Sequence, residues 1–362
     1  MATVVTIIRT KYFATVISAL TMLQLIGTIA MIVGIFTVSD YASIFNSVSE
    51  SYSGPTYSSL TEPLESFSLI QTLVLMAAIN SFLYLYNNAP TYFGGELKRS
   101  KSTMFIGLVL SYIVTAIMAI ALVAGIQYKI GISFYDYTSV NGWTSSGNGI
   151  PIAPNSLLSY VVIPFLNNSP LVTLMVLSAI TWYILYAIID LAIPTRTLFA
   201  MSFDWMAPSF LSKVNQKLKT PVYSALMITA MAVVFDILEI YFGFSVGVLS
   251  DIIVYILYQY FPAAIAAIVL VKKKLYGVND KSIAVIGTIS AVVLLLSALL
   301  LVIFGSINSN FGSMIFAGNL PLNIGIIVGL PIVALVMYEG IRLYRLKQGI
   351  DITITFKEIP PE

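Results

Sequence analysis

The chain has 362 residues, of which 58% are apolar and only 9% charged, against roughly a quarter charged in an average soluble domain; its mean hydropathy is +0.93. A formal charge of +2 gives no bulk basicity for nucleic acid, and the absence of cysteine and histidine removes disulfides, thiolate nucleophiles, Ser-His-Asp and Cys-His catalysis and the usual zinc ligands. The composition predicts an all-α polytopic membrane protein that is not an enzyme and needs neither metal nor cofactor.

A hydrocarbon core of about 30 Å takes about 20 apolar residues as helix, because nothing in lipid satisfies an open backbone. In chain order the predicted spans are 13–37, 67–90, 104–127, 170–193, 222–242, 246–271, 283–303 and 321–338. The first is too long for the apolar part of a signal peptide and lacks a small-residue cleavage site after it. Of the 18 cationic side chains, 17 fall in alternate loops or the ends, and only Lys129 falls in the other set. The positive-inside rule therefore predicts a cell-membrane protein with both termini cytoplasmic. The count of eight is tied to this segregation, since one span more or fewer would invert every later loop. On the external side, 38–66 is rich in Ser and Tyr with Asp40, Glu50, Glu62 and Glu65, and 128–169 holds Gly, Pro and a short apolar stretch, 157–165, expected to lie on the outer surface. The tail, 348–362, is polar and too short to be a domain.

Acids inside hydrocarbon are costly unless they face a cavity or a partner. Asp190 lies deep in the fourth predicted span and is either a structural partner of Arg196 or a neighbouring hydroxyl, or a proton-coupling site. Asp236, Glu239 and Asp251 sit near the 243–247 turn and also suit an outer-interface position. The second span reads Tyr84, Leu85, Tyr86, Asn87, Asn88, Ala89, Pro90, with Gly94 and Gly95 beyond. Such a run predicts either a broken helix, whose bared N–H and C=O groups and Asn amides bind a zwitterionic solute, or a helix that ends early at Pro90.

From Thr195 the chain reads TRTLFAMSFDWMAPSFLSKVNQKLKTPV. This resembles the loop after the eighth span of the amino acid–polyamine–organocation transporters, where a Ser-Arg pair, an Ala-Met, an Asp-Gly, a Pro and a Thr-Pro recur. The matching positions are Thr195 and Arg196, Ala200 and Met201, Asp204, Pro208, and Thr220 and Pro221. The stretch 82–101 is similar to the family's sixth span and following loop, with Glu96 at its acidic position. The resemblance aligns the eight spans with the fifth to twelfth of twelve. It implies part of a five-plus-five inverted-repeat fold: 1–37 as the last helix of repeat one, 38–66 as an external loop, 67–272 as repeat two, 273–347 as two peripheral spans, and 348–362 as a cytoplasmic tail.

What the resemblance implies about function is secondary active transport of an amino acid or related amine. Tyr84, Tyr86, Asn87 and Asn88 would stand at the substrate cavity, and Arg196 with Asp204 would form a cytoplasmic latch. The latch has a plainer reading, Arg196 as a positive-inside anchor and Asp204 as a helix cap. The sixth-span pattern departs from the family's aromatic, Gly, aromatic and Glu, and the 13–37 span has no lysine, so H+ and Na+ both remain open as the coupling ion. The family's first four spans are unmatched; they are expected in frame upstream or on a second polypeptide. The alternative is a non-transporting scaffold or regulatory subunit in the lipid bilayer that pairs with another polypeptide.

Overall fold

The structure is a computed structural model that describes residues 1–63, 68–83, 87–96, 100–145, 147–154, 156–242, 252–274, 280–307 and 320–356. Its helices are α1 (Ala2–Ile7), α2 (Thr10–Thr37), α3 (Tyr41–Glu50), α4 (Leu69–Leu83), α5 (Ser100–Gly125), α6 (Ile132–Asn141) and α7 (Leu157–Val162), then α8 (Ser169–Phe203), α9 (Val222–Phe242), α10 (Ile252–Tyr255), α11 (Phe261–Lys272), α12 (Lys281–Ile307) and α13 (Leu320–Lys347). Among the described residues, six helices are long and apolar enough to cross a membrane, namely α2, the α5–α6 run, α8, α9, α12 and α13. The chain is an all-α polytopic membrane protein. In the other two predicted spans the described helices are α4, of 15 residues, and the stretch from α10 to α11, which holds a π-helical turn, Ile256–Tyr260.

The chain divides into two compact units. The first comprises Met1–Ser66, Ala89–Thr197 and Lys213–Leu226. Here α2 crosses α8 at small residues. A Cβ on Gly27 would overlap the Ser178 side chain, and one on Gly34 would lie 3.1 Å from the Phe165 ring. Ser178 Oγ donates to the Gln24 carbonyl at 2.9 Å. Close backbone approach with a hydroxyl across the seam is how helices associate in lipid, where apolar burial gives no preference for protein over acyl chains.

Beyond α2 and α5 the two long loops of this unit form a packed cap. Asp40 starts α3 by accepting from the Ser43 N–H, an N-cap that satisfies an orphan donor. Tyr41, Phe45, Phe134, Trp143 and Tyr160 are all buried in one core, with Tyr57 packed against it. Phe134 stacks on Tyr57 at 4.3 Å between centroids and meets Phe45 edge-on at 4.9 Å. The phenols find acceptors: Tyr57 on the Ile130 carbonyl at 2.6 Å, Tyr41 on the Tyr160 carbonyl at 3.0 Å, with Tyr160 Oη and Thr138 Oγ1 2.8 Å apart. Burial raises the Tyr41 pKa well above 10, helped by Tyr160 and Tyr57. Burial also pushes Tyr160 up to about 12, against the lowering effect of its Thr138 hydrogen bond.

Lys129, the cation outside the basic loops, donates to the carbonyl of Val38 at 2.9 Å and so ties the end of α2 to the π-helical turn Ile126–Gly131. Gly131 ends that turn at φ +94°, a left-handed conformation open to glycine, and a Cβ there would meet the Tyr57 hydroxyl. A small hairpin, Thr144–Ser145 against Asn148–Gly149, closes the cap around Trp143. The short stretch 157–165 packs into this core through Tyr160, Val161, Val162 and Ile163.

The second unit comprises Phe67–Asn88, Leu198–Ser212 and Met227–Glu362. Val74 of α4, Ile253, Ile256, and Ala298 and Leu301 of α12 form its buried core. α11 approaches α12 closely at Gly287, where a Cβ would stand 2.9 Å from the Ala264 carbonyl. At the far end of α13, Arg345 holds the segment after α8. Its guanidinium lies 5.3 Å from the Trp205 ring, Nε donates to the Trp205 carbonyl at 2.9 Å, and a terminal nitrogen donates to the Ala207 carbonyl at 3.4 Å.

Candidate functional site

The predicted break in the second span follows α4. Ser68 starts α4, its Oγ accepting from the Gln71 N–H at 3.4 Å. The chain is in a turn by Asn87 and Asn88, 18 residues after Leu69, and then forms a 3₁₀ helix, Ala89–Glu96. Regular helix has therefore given way before the predicted end of the span at Pro90. Asn87 and Asn88 are both partly buried. Tyr84 and Tyr86, the other two predicted substrate residues, lie outside the described residues, as does Asp251.

Asp190 and Arg196 sit on α8 in the first unit, and Asp204 just past its end in the second. The helix does not stop at 193 as predicted. It runs through Pro194 to Phe203. Proline has no N–H, so residue 194 cannot return a backbone bond to the Asp190 carbonyl. The acid of the fourth span thus sits where the helical ladder is open. Thr195 Oγ1 donates to the Leu191 carbonyl at 2.6 Å and Thr197 Oγ1 to that of Ile193 at 3.1 Å, local back-bonds on the turns that flank the proline.

Arg196 is held by rings. Its guanidinium carbon is 4.3 Å from the Phe93 centroid and 5.1 Å from that of Phe13, and those two rings stack at 5.8 Å. Phe13 itself packs with Val5, Ile188 and Ala192. A half-buried cation over an aromatic face gains about 0.5–2 kcal/mol. The 89–96 helix is therefore attached to α8 and the start of α2 through Phe93, a residue the sequence reading did not single out. Asp204 has its N–H on the Ala200 carbonyl at 3.1 Å, a helix-ending position. Asp236 and Glu239 are exposed on α9.

A second interruption went unread in the sequence. Pro262 cannot donate to the Tyr258 carbonyl, and the helix widens into the Ile256–Tyr260 π turn there. On α13, Pro331 likewise leaves the Ile327 carbonyl without its helical donor. The Tyr258 hydroxyl donates to that same Ile327 carbonyl. One opened helix thus supplies the hydrogen bond that the other lacks, and the signal was a proline at the head or middle of each apolar run.

No family model matches this chain, and no solved structure matches it. Uncharacterized protein 399 of Sulfolobus islandicus rod-shaped virus 1 is 23% identical over 283 residues, which make up 78% of this chain and 55% of that protein. The chain spans about half the length of the curated relative it matches.

Proposed function

We propose that the chain is a secondary transporter for amino acids or related amines, similar to the amino acid–polyamine–organocation transporters, lying in the cell membrane with both termini cytoplasmic. The observation that carries the reading is the interruption of the second predicted span, which is in a turn at Asn87–Asn88 and then in a 3₁₀ helix, Ala89–Glu96. Main-chain groups opened at membrane depth are tolerated where protein or a water-filled cavity satisfies them, and in transporters such groups hold the solute. In this reading the amides of Asn87 and Asn88, with Tyr84 and Tyr86, bind the substrate. Asp190, at the opening that Pro194 makes in α8, takes up and releases the coupling proton if the ion is H+ and not Na+. Arg196 and Asp204 act as the cytoplasmic latch.

The test is uptake of radiolabelled amino acids into liposomes containing the purified chain, under an imposed proton or sodium gradient, with and without a co-expressed four-span polypeptide. Saturable uptake is expected, and the Asn87→Ala/Asn88→Ala variant should lose about tenfold, the loss of one or two hydrogen bonds at roughly 0.5–1.5 kcal/mol each. Uptake no greater than that of empty liposomes in every arm refutes the transporter and leaves the non-transporting scaffold.

A further inference from the structure

Two stretches of chain more than 200 residues apart meet at one end of the first unit. Arg9 Nε donates to the Lys217 carbonyl at 3.0 Å across a separation of 208 residues, and Thr220 Oγ1 donates to the Ile7 carbonyl at 2.7 Å. The second stretch is a built turn. Asn215 Oδ1 accepts from the N–H groups of Lys217 and Leu218, both at 3.0 Å, while the Asn215 N–H donates to the Thr220 carbonyl at 3.0 Å and the Lys219 N–H donates to the Asn215 carbonyl at 2.6 Å. Lys219 closes this turn at φ +56°, a left-handed conformation that glycine or asparagine adopts far more readily. A lysine held there is strained backbone, and its side chain is not used to bury apolar surface, since it is exposed.

The juxtaposition gathers five exposed cations, Arg9, Lys11, Lys213, Lys217 and Lys219, at the start of two membrane-crossing helices, α2 and α9. Neither 1–12 nor 213–221 contains an acid. Beside the cations lie exposed apolar side chains, with Val4 at 60%, Tyr12 at 57% and Val214 at 46% of their full accessibility. Charge alone would suit any phosphate. Charge next to uncovered apolar surface at the mouth of spanning helices suits a phosphate that carries acyl chains.

We propose that this surface is a binding site for an anionic phospholipid, the headgroup phosphate lying among Lys213, Lys217 and Lys219 and the acyl chains lying against Tyr12, Val4 and Val214. The site is independent of whether the chain moves a solute. Arg9 shapes it from behind by fixing the turn through the Lys217 carbonyl, a bond that side-chain substitution of Lys217 does not remove.

The experiment uses the full chain in neutral detergent, titrated with short-chain phosphatidylglycerol, short-chain phosphatidylcholine and inorganic phosphate, with bound lipid counted by native mass spectrometry. The expected result is a preference for phosphatidylglycerol over phosphatidylcholine of about tenfold or more, weakened at high salt and not competed by inorganic phosphate at equal concentration. Lys213→Gln/Lys217→Gln/Lys219→Gln should abolish the preference with an unchanged circular-dichroism melt, while Lys272→Gln/Lys273→Gln/Lys274→Gln, which removes the same charge from exposed positions in the second unit, should keep it. Equal binding of the two lipids, equal loss in both triple variants, or displacement by inorganic phosphate overturns the proposal, the last in favour of a soluble phosphate.

Discussion

Replacing Tyr258 by Phe removes one hydroxyl and nothing else, and the opened backbone of α13 states what that hydroxyl does. The Ile327 carbonyl has lost its helical donor to Pro331 and accepts from Tyr258. A carbonyl left without a donor away from water costs about 1–3 kcal/mol, but interhelical hydrogen bonds measured in membranes average roughly 0.6 and reach about 1.7 kcal/mol, because the unfolded chain also finds partners in lipid. The expected loss for Tyr258→Phe is therefore about 1 kcal/mol. Pro331→Ala provides the sharper arm, since residue 331 then donates its own N–H to Ile327 and the tyrosine hydroxyl becomes redundant. In that background Tyr258→Phe should cost no more than about 0.3 kcal/mol, a coupling of about 0.7 kcal/mol that exceeds the scatter expected of independent sites. Unfolding by dodecyl sulfate in mixed micelles, followed by circular dichroism on the wild type, both single variants and the double variant, closes the cycle. An equal cost of Tyr258→Phe with and without Pro331 would refute the idea that the hydroxyl substitutes for the missing N–H.

The cap makes an alkaline prediction. Tyr160, raised to about 12, and Tyr41, raised well above 10, stay protonated when folded where the unfolded chain has ionised near 10. Their contribution to cap stability is present below about pH 10 and is lost as pH climbs toward 12; phenolate absorbance should show a late-titrating fraction that vanishes in denaturant, and a single titration near 10 in the native protein would contradict the packing. Arg345→Ala should free the 204–212 segment by removing the bonds to the Trp205 and Ala207 carbonyls, which tryptic cleavage after Lys213 reads as a several-fold faster rate; an unchanged rate counts against the clamp.

Hydropathy found the long helices well, because a run of apolar residues in lipid has helix as its main way to satisfy its own backbone. α2, α9 and α12 lie within a few residues of their predicted bounds. Prolines were read less well. The fourth span was placed to end at 193, yet the helix continues through Pro194 to Phe203, since a proline removes a single ladder bond and the turns on either side still form. Tyr258 and Ile327 were invisible as a pair, because their relation depends on which two helices pack together. The same limit hid the cap. The helical spacing of Tyr41, Ile44, Phe45 and Val48 marks one apolar face in the first loop, but Phe134, Trp143 and Tyr160 come from a second stretch far along the chain, and only the fold brings their rings into one core. At the candidate site, the polar run at 84–90 was legible because Asn and Pro are out of place in a span. The aromatic clamp on Arg196 was not, since Phe13 and Phe93 look like ordinary apolar residues in their own segments.

The cap core also fixes an order of events during synthesis. Phe45 is made early, but Tyr160 follows 115 residues later, which at about 5–20 residues per second is a wait of roughly 6–23 s. Through that interval Tyr41, Phe45 and Tyr57 have only one another to pack on, in a 38–63 segment whose serines, with Asp40, Glu50 and Glu62, are polar enough to be hydrated, until Phe134, Trp143 and Tyr160 complete the core.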